Sequence, residues 1–211
     1  MTFLFKQASS VVVGTLNMYI LHPQWLIDHQ IIPDDTKVAI QSSLDKPGIR
    51  LHFPSLKCIW TVEPTRLQIQ TDDFEFDCGE LTGKVLHRLP ETPIIAVGSN
   101  STYIAPLDDL ESLLTLKDFP SFDELLEDGE ISQRTFHVAV ERPNGAVANL
   151  QLSVTDDEVE LALNVHTDQK DKPIARNAVA PAQRFVADQQ DARSLAHKLF
   201  GAEISYATSN H

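Results

Sequence analysis

Cysteine is nearly absent: Cys58 and Cys78 are the only two among 211 residues, fewer than a disulfide-dependent secreted fold of this size usually carries. Two free thiols point instead to a reducing compartment, the cytoplasm. Basic residues are also scarce. Seventeen Lys and Arg stand against thirty Asp and Glu, a formal net charge of −13, which repels a phosphate backbone and argues against direct nucleic-acid binding. Long apolar runs are missing as well. The longest, Val11 to Leu21, contains Gly14 and Asn17 and is about half the roughly twenty residues that a membrane span needs. The start, Met1-Thr-Phe-Leu-Phe-Lys6, has no small-residue cleavage site closing an apolar core, so no export signal is expected. No glycine-rich loop followed by lysine cradles a phosphate, and Gly98-Ser99 lacks the second glycine of a nucleophile elbow; no cofactor is expected on these grounds.

What is present is an ordinary globular composition, 42% hydrophobic and 22% charged, in a chain long enough for one large domain or two lobes of about 100 residues each. Val11, Val12, Val13, Leu16, Met18, Tyr19 and Ile20 predict a first strand that Pro23 ends, because proline fits poorly inside a paired strand. A short turn or helix at Trp25–Ile32 follows. Lys37–Leu44 and Ile49–Phe53 form a hairpin across Asp45-Lys-Pro-Gly48, and Lys57–Val62 and Arg66–Thr71 form another across Glu63-Pro64-Thr65. Asp77 with Glu80 makes a capping box for a helix whose apolar face is Leu81, Val85, Leu86 and Leu89 and which Pro90 closes. Ile94–Val97 reads as a buried strand broken at Gly98-Ser-Asn100.

From Thr135 to Val165 the apolar residues alternate: Phe136, Val138, Val140; Leu150, Leu152, Val154; Val159, Leu161, Leu163, Val165. A two-residue loop at Asp156-Asp157 pairs Val154 with Val159, Leu152 with Leu161 and Leu150 with Leu163, which brings every apolar side chain to one face of a three-stranded meander. Residues 167–184, rich in Lys, Asp, Pro and Ala, read as a long loop. Ala192, Leu195, Ala196 and Leu199 mark a helix that Gly201 ends, with a short strand near Ile204-Ser-Tyr206. The expected fold is therefore α+β, mainly antiparallel sheets with a few helices, as a β-rich lobe over 1–106, an acidic helical connector over 107–130, and a meander plus helix over 131–211. Each half reads as strands, a helix and a strand, a pattern that suits two similar lobes each carrying one helix.

Residues 107–130 hold nine acidic residues against one base, Lys117. Phe119, Phe122, Leu125 and Leu126 supply apolar anchors on two short helices, which are marginal alone and need either their own core or a partner's groove to bury those side chains. They are the candidate contact for a partner protein with a basic surface. The catalytic candidates are weaker. Cys78 sits in the first turn of its helix, where the dipole lowers a thiol pKa, but Asp77 opposes thiolate formation and His87 lies more than two turns away; a small core cysteine is the competing account. The meander pairing puts His137, Ser153 and Glu160 side by side on its polar face, yet Ser153 on the middle strand separates His137 from Glu160, which suits a solvated cross-strand polar row better than a triad. His22, Asp28 and His29 have spacing unlike a zinc module. Lys170, Lys172, Arg176, Arg184, Arg193 and Lys198 make the C-terminal part locally basic, an anion surface or, more simply, a solvated loop and helix face. Two functions remain: a non-catalytic protein-binding or adaptor protein, an assembly component or inhibitor; or an enzyme built from residues distant in sequence, with Cys78 as nucleophile.

Overall fold

The computed structural model describes residues 1–42, 47–107, 133–155, 158–169 and 173–206. The expected connector helices with Phe119, Phe122, Leu125 and Leu126, the first half of the Asp45–Gly48 turn and the Asp156-Asp157 loop lie outside them.

Two long strands, β1 (Thr2–Gly14) and β6 (Ile94–Pro106), pair antiparallel at the centre, from Leu4 opposite Ile104 to Gly14 opposite Ile94. Each is followed by an antiparallel meander whose last strand returns to it. After β1 come α1 (Pro23–Asp28), β2 (Ala39–Ser42), then β3 (Ile49–Phe53), β4 (Cys58–Glu63) and β5 (Arg66–Thr71), with β5 beside β1. After β6 come β7 (Gln133–Glu141), β8 (Val147–Thr155) and β9 (Glu158–Asp168), with β9 beside β6. Helix α2 (Cys78–Arg88) follows the first meander; α3 (Ala175–Gln183), α4 (Phe185–Phe200) and β10 (Glu203–Ser205) follow the second. The ten described strands form one sheet, ordered β2-β3-β4-β5-β1-β6-β9-β8-β7, with β10 added parallel to the start of β1. The α+β class is as the sequence predicts, with two differences. The halves share a single sheet, and each carries two described helices instead of one.

Strand alternation sends the apolar side chains to one face. Leu51, Trp60 and Ile69 are cross-strand neighbours there in the first half, and Tyr103, Leu161 and Leu152 in the second. α2 packs on β1 and β5, α3 on β6, and α4 on β6, β8 and β9, so two cores form on this face. Val12, Trp60, Leu81 and the α1 residue Leu26 belong to one; Phe3, Tyr103, Leu152 and Phe200 belong to the other. The meander register is the predicted one, with Leu150 opposite Leu163, Leu152 opposite Leu161 and Val154 opposite Val159.

Three expectations are corrected. The first strand begins at Thr2 and ends at Gly14, before Met18-Tyr19-Ile20. A bulge between Phe5 and Gln7 puts Phe3 and Phe5 on the same face as Ala8 and Val12 and breaks the alternation. At Gly14 the chain passes so close to β6 that a Cβ would lie 2.1 Å from the Pro93 carbonyl oxygen. Second, β6 runs unbroken through Gly98-Ser-Asn100, because those residues pair on both sides, with Val11-Ser10-Ser9 of β1 and His166-Val165-Asn164 of β9. Third, the expected loop over 167–184 contains α3. Its alanines Ala175, Ala178 and Ala182 are buried, and its first turn is anchored by Ala175 N–H donating to the Thr92 carbonyl at 2.8 Å and Arg176 N–H to Pro90 at 3.0 Å. Across from it, α2 presents Gly79, where a Cβ would meet the Ala182 carbonyl oxygen at 2.2 Å and the Phe185 Cβ at 2.3 Å. The two helices touch backbone to backbone, a contact that small residues permit.

Candidate functional site

α2, α3 and α4 all pack on one face of the sheet, which leaves the alternate residues of every strand pointing the other way. On that opposite face a single transverse row crosses nine strands in register: Ala39, His52, Ile59, Gln70, Ser9, Asn100, Asn164, Asn149 and Ala139. Its middle is amide and hydroxyl. Asn149 donates to the Asn164 carbonyl oxygen at 3.1 Å, Asn164 to Asn100 at 2.7 Å, and Asn100 to the Ser9 hydroxyl at 3.4 Å. Gln70 donates to Gln7 at 2.7 Å on the other side of Ser9. The flanking positions Gln68, Thr102 and Gln151 are uncharged too; Arg50 and Glu141 flank the row near its two ends, and the Lys6–Glu160 pair at 3.7 Å lies further along the strands. A row of this kind offers donors and acceptors to a polar surface. Neutral amides and hydroxyls provide no general acid or base of their own.

The row runs into a groove of about 820 Å³ on the first half of the sheet, where His52, Ile59 and Gln70 line it together with Asp72, Phe74 and Tyr206. The groove exists because β10 and β5 share one side of β1. β10 pairs with Thr2–Leu4 and β5 with Ala8–Val13, so the chain leaving β5 must turn aside to make room for β10. Phe74, on that turn, is held between the Tyr206 ring, stacked at 4.4 Å, and the Arg193 guanidinium at 4.8 Å, with Phe5 edge-on at 5.3 Å. The turn is fixed by its own hydrogen bonds. The Thr71 hydroxyl donates to the Lys57 carbonyl at 2.8 Å and accepts the Asp73 N–H at 2.9 Å, and the Asp73 carboxylate accepts the Glu75 N–H at 3.1 Å. That N–H, helped by the Lys57 ammonium at 3.1 Å and only partly opposed by burial, holds the Asp73 carboxyl below the usual carboxylate range. Asp72 and Glu75 have no ion-pair partner among the described residues.

The other sequence candidates have structural roles. Cys78 is the first residue of α2 and 0% exposed; burial pushes its thiol pKa far up, and pushes the equally buried Cys58 up to about 11. Asp77 caps the helix as predicted, its carboxylate accepting the Glu80 N–H at 3.0 Å. Iodoacetamide should therefore label both cysteines slowly in the native protein and rapidly after unfolding, since thiol and reagent are kept apart and the thiolate is scarce. Native labelling of Cys78 at the rate of a free thiol would contradict this placement.

Ser153, which is buried, lies opposite Glu160 on one side and Thr135 on the other, while His137 lies opposite Gln151, one row away, so the expected side-by-side row of His137, Ser153 and Glu160 is corrected and the three form no triad. His22 caps α1 by accepting the Trp25 N–H at 3.3 Å, and His29 stacks on the Trp25 ring at 4.3 Å. Among the described residues no group of three His, Cys, Asp or Glu is placed to hold a metal. Of the C-terminal basic residues, Arg176 pairs with Glu91 at the surface, Arg184 pairs with Asp188 and Arg193 covers Phe74, while Lys170 and Lys172 lie outside the described residues.

These features define an α+β protein with one mainly antiparallel sheet, helices on one face and a row of neutral amide and hydroxyl side chains across the middle of the other. No protein-family model matches the chain, and no curated protein matches it either. Among the described residues no helix is long and apolar enough to cross a membrane.

Proposed function

We propose that this chain is a non-catalytic protein-binding protein, an adaptor, assembly component or inhibitor, whose partner presents a basic surface. The observation that carries the reading is the amide row: its cross-strand pairs join both halves through one band of neutral polar side chains on the face opposite the packed helices. Such a surface desolvates at lower cost than a charged one and pairs with a polar partner. The net charge of −13 favours a basic protein over nucleic acid and steers it during encounter. The acidic segment 107–130, through Phe119, Phe122, Leu125 and Leu126, is the second contact, entering a partner's groove. The free, buried thiols suit a reducing compartment, the cytoplasm, and burial of Cys78 weighs against the alternative of an enzyme using that thiol.

Affinity purification from the native host tests both contacts. Thr102→Arg with Gln151→Arg loads positive charge onto the polar face, and Phe122→Ser with Leu125→Ser removes two anchors of the acidic segment. Each pair should abolish recovery of the partner while leaving the melting temperature within a few degrees of wild type, as expected for surface positions. Full recovery with both pairs would refute the proposal, and a large fall in melting temperature for Phe122→Ser with Leu125→Ser would show those residues to be core.

A further inference from the structure

The groove beside Phe74 is a vacant strand position. Over Ala8–Val13, β1 has β5 beside it and β4 beyond that. Over Thr2–Leu4 it has β10 in the place of β5, and among the described residues no strand lies beyond β10. Glu203 donates its N–H to the Met1 carbonyl beside β1 at 3.0 Å, so by alternation Ile204 is the β10 residue whose backbone N–H and C=O face outward, with no ladder partner among the described strands, and Tyr206, directly after β10, lines the groove. An open strand edge is a template for adding a peptide strand, with affinity from main-chain hydrogen bonds and specificity from the side-chain environment.

That environment is defined by charge. Asp72 and Glu75 line the groove without ion-pair partners among the described residues, whereas the Lys57 ammonium is already engaged by Asp73. Tyr206, stacked on Phe74 and 52% exposed, offers an aromatic surface beside those carboxylates. Carboxylates together with an aromatic face suit a lysine or arginine side chain, through Coulomb attraction and a cation–π contact. Resting on the protein-binding reading above, we propose that the partner inserts an extended segment carrying Lys or Arg into this groove, adding to the edge of β10 with its cation at Asp72 and Glu75.

The test is a titration of the isotope-labelled full chain, followed by backbone amide NMR, with two capped hexapeptides, one alternating lysine and valine, the other glutamate and valine. The lysine peptide should shift amides of residues 70–75 and 203–206, more weakly as ionic strength rises, and the glutamate peptide should not. Asp72→Asn with Glu75→Gln should weaken the lysine peptide roughly tenfold, and Tyr206→Ala several-fold, in the range expected for lost charge pairs and a lost cation–π contact. Absence of shifts in these segments, equal shifts with both peptides, or binding indifferent to the substitutions would overturn the groove. Loss of partner recovery on Thr102→Arg with Gln151→Arg, together with a silent groove, would refute this inference while leaving the protein-binding reading in place.

Discussion

Gly79→Val should destabilise the protein by about 3 kcal/mol or more, at or beyond the upper end for overpacking a well-packed site. The added Cβ would lie 2.2 Å from the Ala182 carbonyl oxygen and 2.3 Å from the Phe185 Cβ. Because the obstacle is backbone and the root of a side chain, no rotamer change relieves it; α2 and α3 must separate. At roughly 2–4 °C per kcal/mol for a chain of this length, the melting temperature should fall by about 6–12 °C. Thermal unfolding followed by circular dichroism measures it. A fall of a degree or less would mean that the two helices do not pack as described.

Leu152→Ala should cost about 2–5 kcal/mol through lost burial and the cavity left behind. Leu152 is 0% exposed and lies between Leu161 of β9 and Phe136 of β7. Its neighbour in sequence, Ser153, faces the opposite way, where its hydroxyl accepts from the Gln151 amide at 3.1 Å. Ser153→Ala should cost about 1 kcal/mol or less, the net worth of an ordinary hydrogen bond. Urea unfolding of the two variants compares them directly, and losses of equal size would place the core on the wrong face of the meander.

The meander register and the Asp77 cap were legible in the sequence because each rests on neighbours a few residues apart: an unbroken period of two, and a carboxylate three residues before the N–H it accepts. α3 was not legible, since its buried face is Ala175, Ala178 and Ala182, which carry little apolar signal, and its partner residue Gly79 is about a hundred positions earlier. The start of β1 was hidden by the bulge at Phe5–Gln7, and β6 by a glycine that reads as a break yet pairs on both sides. The polar character of Gln68, Gln70 and Ser153 was visible as alternation. That Gln70, Ser9, Asn100, Asn164 and Asn149 form one row was not, because the pairing of β1 with β6 joins segments some ninety residues apart and nothing local fixes it. Phe74 gave no signal as an isolated aromatic in a turn; its meaning comes from Tyr206 and Arg193 reaching it from the other end of the chain.

The side-chain amide NMR signals of Asn100, Asn149, Asn164, Gln68, Gln70 and Gln151, recorded as the partner recovered from the native host is titrated in, report on the sheet face opposite the described helices. These signals should shift or broaden while the methyl signals of Val85 and Leu195, on the helix side of the sheet, stay in place. Changes confined to the helix side, with the amide row undisturbed at saturation, would contradict it.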